Sequence, residues 1–148
     1  MTSKLETALS DRIANTALGW FGTPYRHQHS RKGVGADCLG LVRGVWEEIY
    51  GRPAPDPGAY SADWAETASG DPLIDAARLW CREELDRGPR RGDLLLFRLR
   101  PRLAAKHCAI AIDGRRFIHA YQGHAVMISH LDMHWRRRLA GVFEFPER

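Results

Sequence analysis

The chain has 148 residues, of which 44% are hydrophobic and 27% charged, and its formal net charge at neutral pH is +4. This length and composition fit one globular domain over residues 1–148 and exclude a fibrous or disordered chain. The basic charge would suit an anionic partner. Aromatic residues are not interleaved with the basic ones, however, so we expect no specific nucleic-acid binding.

No run of apolar residues approaches the length of a membrane span, so we expect no membrane insertion. Four charged residues interrupt the first 18 positions, which lack the continuous apolar core of a signal peptide. We therefore expect synthesis in the cytoplasm and a separate delivery route to any target outside the cell. The three cysteines, Cys38, Cys81 and Cys108, cannot all pair, which favours a reduced chain with at least one reactive thiol.

The sequence predicts helices first and strands later. Apolar spacing and capping signals predict a helix over about residues 3–18 and a second helix from Cys38 to Tyr50. Residues 26–36 and 51–60 are predicted loops, and residues 61–69 and 72–87 predicted short helices. Turn signals separate predicted strands over Leu94–Arg98, His107–Ile112, Phe117–Tyr121, Ala125–Ser129 and Val142–Phe145. This order predicts an α+β fold with N-terminal helices packed on a C-terminal antiparallel sheet.

Cys38 stands where a glycine-containing loop meets the apolar helix that follows. Asp37, directly before it, has the side chain and the position of an N-cap. The N-terminus of a helix presents free backbone N–H groups and partial positive charge, which stabilise a thiolate and lower the pKa of a cysteine. The sequence therefore predicts that Cys38 is a reactive thiol whose backbone N–H contributes to an oxyanion hole.

Two histidines in the predicted strands are candidates for the base that a cysteine nucleophile needs. His107 opens one strand, and His119 lies in the next strand along the chain. Neighbouring strands can bring such side chains to within about 5 Å of each other. We predict Cys38 as nucleophile, His107 as base and His119 as the group that orients His107. Spacing alone leaves a structural role for either histidine open.

Five motifs in a fixed order give the chain a resemblance to a known family. They are Gly22-Thr23-Pro24-Tyr25, Asp37-Cys38-Leu39-Gly40-Leu41-Val42, Arg91-Gly92-Asp93-Leu94-Leu95-Leu96-Phe97, His107-Cys108-Ala109-Ile110-Ala111-Ile112 and Phe117-Ile118-His119-Ala120. In this order they resemble the NlpC family of papain-like cell-wall peptidases. The resemblance implies a papain-like α+β fold and cysteine peptidase activity.

The resemblance implies roles for five residues. Cys38 matches the family nucleophile, His107 its base and His119 its third polar residue. Tyr25 matches a tyrosine that lines the site near the nucleophile or the bound peptide. Asp37 matches an aspartate that helps to hold the substrate amine. No metal and no organic cofactor is implied.

The resemblance also implies a substrate and a setting. Family substrates are peptidoglycan stem peptides, typically cut between D-glutamate and a diamino acid. The chain looks most like the branch associated with the tails of phages and gene transfer agents. That branch implies a tail hub or tip protein as partner and action in the periplasm or cell wall. Two alternatives stay open: a catalytically silent structural tail-tip module, and a thiol amidase or acyltransferase of the same fold.

Leu39 departs from the family pattern, which commonly has serine after the cysteine, and this leaves the stem-peptide specificity open. Other histidines suggest weaker hypotheses. His27 with His29, and His130 with His134, lack the cysteine or carboxylate partners that a zinc site needs. We therefore expect no metal site.

Three further expectations concern the core. Strand alternation places Cys108 on the face opposite His107. Cys81 lies on a predicted amphipathic helix and is expected to be buried there. The tryptophans expected in the core are Trp46, Trp80 and Trp135.

Overall fold

The computed structural model describes residues 4–54 and 70–147; the predicted helix over 61–69 and most of the predicted loop over 51–60 lie outside them. The helices are Lys4–Leu18 (α1), Cys38–Tyr50 (α2), Pro72–Trp80 (α3) and Met133–Arg136 (α4). The strands are Ser30–Arg31 (β1), Gly35–Ala36 (β2), Arg82–Glu83 (β3), Leu94–Phe97 (β4), His107–Ala111 (β5), Arg116–His119 (β6), Met127–His130 (β7) and Leu139–Glu144 (β8). None of these helices combines the length and the apolar character that crossing a membrane requires.

Six strands form one antiparallel sheet in the order β3-β8-β4-β5-β6-β7, which confirms the predicted arrangement of helices followed by a sheet. The short strands β1 and β2 pair separately as a hairpin inside the segment predicted to be a polar loop. In the centre of the sheet, Phe97 of β4 lies opposite His107 of β5, and Leu94 lies opposite Ile110. His107 therefore occupies the end of the sheet at which β5 begins.

Alternation of side chains gives the sheet two apolar faces. One cluster joins the helices to Cys108 and Ile110 of β5. The cluster on the other face consists of Leu95, Phe97, Ala109, Ala111, Phe117, Leu131, Trp135 and Val142. His107 lies beside this second cluster, with its ring centroid 6.0 Å from that of Phe97. Cys108 and His107 thus point to opposite faces, as predicted.

Two predictions for the segment after residue 72 are wrong. Helix α3 ends at Trp80 instead of continuing to residue 87, because the backbone is extended at Cys81 (φ −131°, ψ 166°) and the chain enters β3, which pairs with β8. Leu85, which lies within the range predicted to be helical, is 80% exposed. Trp80 is 47% exposed and does not belong to the core, whereas Trp46 and Trp135 are buried as predicted.

A buried ion pair between Arg87 and Asp93 fixes the start of β4. Two guanidinium nitrogens of Arg87 donate to the two carboxylate oxygens of Asp93, at 2.7 and 3.1 Å. Gly92, which directly precedes Asp93 in the chain, has a φ of 87°. A Cβ at this position would lie 2.8 Å from the Ser10 carbonyl oxygen of α1. The Arg91-Gly92-Asp93 motif is therefore a structural turn that seats β4 against α1.

Gly44 of α2 provides the surface on which the Trp20 ring packs. A Cβ at position 44 would lie 2.1 Å from Trp20 Cζ2. Trp20 is buried, and its indole N–H donates to Glu48 Oε2 at 2.9 Å, so the ring cannot move without losing both interactions. We expect Gly44→Ala to lower the free energy of unfolding by about 1–3 kcal/mol through overpacking.

Urea denaturation followed by circular dichroism measures this loss. The matched control is Gly88→Ala, because a Cβ at Gly88 would meet no atom within 4 Å. That control is expected to stay within about 0.5 kcal/mol of the wild type. Equal stability of the Gly44→Ala protein and the control would contradict the assignment of Gly44 to a packing role.

Candidate active site

Asp37 caps α2 and connects its first turn to the preceding loop. One carboxylate oxygen accepts the backbone N–H of Gly40 at 2.7 Å, and the other accepts the backbone N–H of Gln28 at 2.7 Å. Asp37 itself is extended (φ −94°, ψ −175°), which is the usual conformation of an N-cap residue. The cap predicted from the sequence is present, and it fixes the backbone of the preceding loop at Gln28 and of the helix at Gly40.

The β1–β2 hairpin lies directly against the first turn of α2, with no room between them for a side chain. A Cβ on Gly40 would lie 1.8 Å from the carbonyl oxygen of His29. The Ser30 hydroxyl donates to the Gly40 carbonyl at 2.6 Å. Gly40 thus permits a close contact between the hairpin and α2, and this contact helps to fix the position of Cys38.

The Cys38 thiol lies at the first position of α2, half-buried over the start of β5. Its Sγ is 3.8 Å from the carbonyl oxygen of Lys106, the residue before His107. A hydrogen bond from the Cys108 thiol lowers the pKa of Cys38 well below its usual value, and hydrogen bonding and charge from His107 lower it further. Burial and the Asp37 carboxylate oppose this shift. The balance favours a thiolate paired with His107.

His107 and His119 form a buried pair on one face of the sheet. His107 Nε2 lies 2.8 Å from His119 Nδ1, and the two ring centroids are 5.0 Å apart. The residues lie on adjacent antiparallel strands, which brings their side chains together diagonally. Because His107 Nε2 is engaged, Nδ1 is the nitrogen left to exchange a proton with Cys38. The structure therefore brings His107 and His119 together and places Cys38 over the start of the same strand, while their roles as nucleophile, base and orienting residue stay predictions.

The orienting histidine has a further partner that the sequence did not reveal. His119 Nε2 lies 2.8 Å from the hydroxyl oxygen of Ser129 on β7. Burial, followed by the charges of His107 and His124, lowers the pKa of His119 to about 3. His119 is therefore neutral near pH 7 and can stay neutral when His107 is protonated.

An aromatic wall encloses the two histidines. The Trp135 ring centroid lies 5.7 Å from that of His107 and 5.3 Å from that of His119. Tyr121 covers the pair from another side, 5.4 Å from His107, and stacks on His124 at 5.9 Å. These rings exclude water from the pair, which strengthens the hydrogen bond between the histidines.

Tyr25 lies close enough to Cys38 and Asp37 to sense their charges. Burial, followed by the negative charges of Cys38 and Asp37, raises the pKa of Tyr25 to about 12. Asp37, the residue predicted to hold the substrate amine, is buried beside Cys38. It is 3% exposed, and its carboxylate serves two backbone N–H groups. The geometry supports a capping role for Asp37, and amine binding stays a prediction.

Leu39 lines an apolar cavity of about 210 Å³ between α2, α3 and the sheet, together with Leu73 and Cys108. A larger polar cavity of about 710 Å³ lies at the other end of β4, bordered by arginines such as Arg90 and Arg91. That larger cavity is remote from Cys38 and carries none of the predicted chemistry.

The histidines outside the pair form no cluster suited to a metal. Over residues 4–54 and 70–147, no group of three or more His, Cys, Asp or Glu side chains is arranged to hold an ion. His29 Nδ1 contacts the carbonyl of His27 at 2.9 Å. His130 belongs to β7 and His134 to α4, so the two do not share a helical face.

A sequence profile of the NlpC/P60 family matches residues 22–144. The chain belongs to the NlpC/P60 family. It is 28% identical over 131 residues to the protein named murein DD-endopeptidase MepS/murein LD-carboxypeptidase of Escherichia coli. It is 27% identical over 138 residues to the probable endopeptidase NlpC homolog of Haemophilus influenzae. These alignments cover 88% and 92% of this chain but 60% and 63% of the relatives, so the chain spans less than two thirds of their length.

Solved structures of the NlpC/P60 family share the fold. The NlpC/p60 domain of the peptidoglycan hydrolase SagA superposes with a TM-score of 0.62 at 23% identity, covering 92% of this chain and 98% of that one. A lipoprotein-like NLP/P60 protein of Staphylococcus aureus gives a TM-score of 0.65 at 21% identity, covering 93% of this chain and 41% of that one. The predicted papain-like α+β fold is confirmed.

Cys108 stabilises the thiolate form of Cys38. Hydrogen bonding with Cys38, followed by burial, raises the pKa of Cys108, so Cys108 stays protonated and acts as the donor to the thiolate. Valine at position 108 would remove that donor, so we expect Cys108→Val to raise the pKa of Cys38. The rate of iodoacetamide alkylation should then rise at higher pH than in the wild type.

The matched control for this experiment is Cys81→Ala. Burial raises the pKa of Cys81 to about 12, so this thiol contributes little to alkylation near neutral pH. The control curve should superimpose on that of the wild type. A Cys108→Val curve that also superimposes would show that the hydrogen bond does not lower the pKa of Cys38.

Proposed function

We propose that this protein is a cysteine endopeptidase that cuts the stem peptides of peptidoglycan. The observation that carries the proposal is a half-buried thiol at a helix N-terminus, 3.8 Å from the carbonyl oxygen of Lys106, directly before the His107 that contacts His119. Its support among relatives is the name of the Escherichia coli protein, a murein endopeptidase. Exposed Arg136 and Arg137 provide positive charge suited to an anionic wall polymer.

The geometry supports acyl transfer in two steps. The thiolate of Cys38 adds to the carbonyl carbon of the scissile amide, and the backbone N–H groups at the start of α2 stabilise the oxyanion. The C–N bond breaks, the leaving amine takes the proton from His107, and an S-acyl enzyme remains. Water then attacks this thioester while His107 accepts the water proton. Expulsion of the Cys38 thiolate releases the carboxylic acid.

The bond we propose is the one between D-glutamate and the diamino acid of the stem peptide, from the resemblance of the sequence motifs. The Escherichia coli relative is named for a different specificity, as a DD-endopeptidase. Purified murein is incubated with the wild-type protein, and the released fragments are identified by mass spectrometry. New D-glutamate carboxyl ends would support the proposed bond, whereas cleaved cross-links between D-residues would replace it with the DD type.

The same digestion separates the proposal from its alternatives. A folded protein that releases no fragment would indicate a structural module. Fragments in which the new acyl end carries an added amine in place of a carboxylate would indicate acyl transfer. Separation of a peptide stem from its sugar would indicate an amidase.

We propose a phage-like tail as the setting, with a tail hub or tip protein as partner and the periplasm or cell wall as the place of action. The support is the motif resemblance described above. Particles are purified from producing cells on a density gradient, and an antibody locates the protein. Co-sedimentation with tails supports this setting, and presence only in the soluble host fraction contradicts it.

A further inference from the structure

Ser129 lies where it can control the proton arrangement of the two histidines. In the β6–β7 pair, Ser129 is opposite Phe117 and Met127 is opposite His119. Ser129 and His119 are therefore diagonal neighbours on one face, and the imidazole bridges the gap to bring Nε2 within 2.8 Å of Oγ. Three adjacent strands thus present His107, His119 and Ser129 in a row.

The direction of the hydrogen bonds follows from what the base must do. To take the proton of Cys38, His107 needs a lone pair on Nδ1, so its own proton is on Nε2. That N–H must donate to His119 Nδ1, 2.8 Å away, so Nδ1 of His119 carries no proton. A neutral His119 then has its proton on Nε2, directed at Ser129. The Ser129 oxygen then accepts the hydrogen bond from His119 Nε2–H.

We propose that Ser129 is a positioning residue that holds His119 in the Nε2–H tautomer. His119 is 1% exposed, so without the hydroxyl its Nε2–H would lose its acceptor in a dry environment. The Nδ1–H tautomer would then compete, and it would donate to His107 Nε2. That places the His107 proton on Nδ1, where it can no longer accept a proton from the thiol. Ser129 therefore acts on Cys38 through two imidazoles.

The inference rests on Cys38 and His107 being the catalytic pair, but its test needs no substrate. The rate of Cys38 alkylation by iodoacetamide is measured against pH for the wild type, Ser129→Ala and Ser129→Thr. We expect the Ser129→Ala curve to move to higher pH by about one unit, a tenfold smaller thiolate fraction at a given pH. Ser129→Thr keeps a hydroxyl on a strand position and should restore most of the wild-type behaviour.

Two readouts exclude a merely structural effect. The ¹⁵N spectrum of labelled wild-type protein should show His119 protonated at Nε2, and Ser129→Ala should add the Nδ1–H form. His130→Ala, an exposed neighbour on β7, should leave both the alkylation curve and the spectrum unchanged. An Nδ1–H His119 in the wild type, or equal shifts in the Ala and Thr variants, would overturn the proposal. Failure to cleave murein would bear on the proposed function and leave this assignment standing.

Discussion

Cys38→Ala should reduce the release of murein fragments by at least about a thousandfold while leaving the fold intact. The thiolate supplies the electron pair that forms the acyl enzyme, and no other described thiol can take its place. Cys108 is buried in the helix-side cluster with a raised pKa, and Cys81 is protonated with a pKa of about 12. The variant keeps the Asp37 cap, whose bonds are to backbone N–H groups, so α2 should still form.

The measurement is single-turnover release of fragments from purified murein, with thermal unfolding recorded on the same samples. Cys81→Ala is the matched control, because it removes a partly buried thiol away from the site and should leave the rate unchanged. Cys38→Ser provides a second comparison, since its hydroxyl remains protonated near neutral pH. A Cys38→Ala protein with more than a few per cent of the wild-type rate would refute Cys38 as the nucleophile.

Phe117→Ala should lower the free energy of unfolding by about 3–5 kcal/mol, the largest effect on stability that we expect from a single side chain. Phe117 is fully buried, and its ring centroid lies 5.2 Å from that of Phe97 and 5.3 Å from that of Trp135. Truncation leaves a cavity surrounded by rings that cannot collapse into it. The Phe117 ring is also 4.6 Å from that of His119, so the cavity adjoins the histidine pair.

Urea unfolding measures the loss as a lower midpoint at an unchanged dependence on denaturant. Phe21→Ala is the matched control, because the Phe21 side chain is 61% exposed and its truncation should change stability by less than about 0.5 kcal/mol. Phe117→Leu keeps most of the volume and should recover much of the loss. Similar midpoints for Phe117→Ala and Phe21→Ala would contradict the role of the aromatic cluster in stability.

The candidate site residues Cys38, His107 and His119 could be located from the sequence because each has a local signal. A capping aspartate followed by a cysteine and an apolar helix locates the nucleophile, and alternation locates His107 and His119 on strands. Ser129 has no such signal, since its contact depends on the register between β6 and β7. The sequence placed this residue at the end of a strand without fixing its partner, and a shift of one position would turn it to the opposite face.

The end of α3 was not predictable for a related reason. The helical pattern of apolar residues continues past Trp80 to Leu85, and the segment between them contains no glycine or proline that would end a helix. The helix ends because Arg82 and Glu83 pair with Glu144 and Phe143 of β8, far along the chain. Pairing with a distant strand outweighs local helical preference here.

The proposed nucleophile and its proposed base belong to different layers of the molecule. Cys38 is carried by α2 and His107 by β5, and the two are held in register by packing of residues such as Leu41 and Val45 against the sheet. The distance between the thiol and the imidazole therefore depends on hydrophobic packing between α2 and the sheet. Conditions that loosen this packing would separate the two groups while the helix and the sheet keep their secondary structure. We therefore expect activity to be lost before the sheet unfolds.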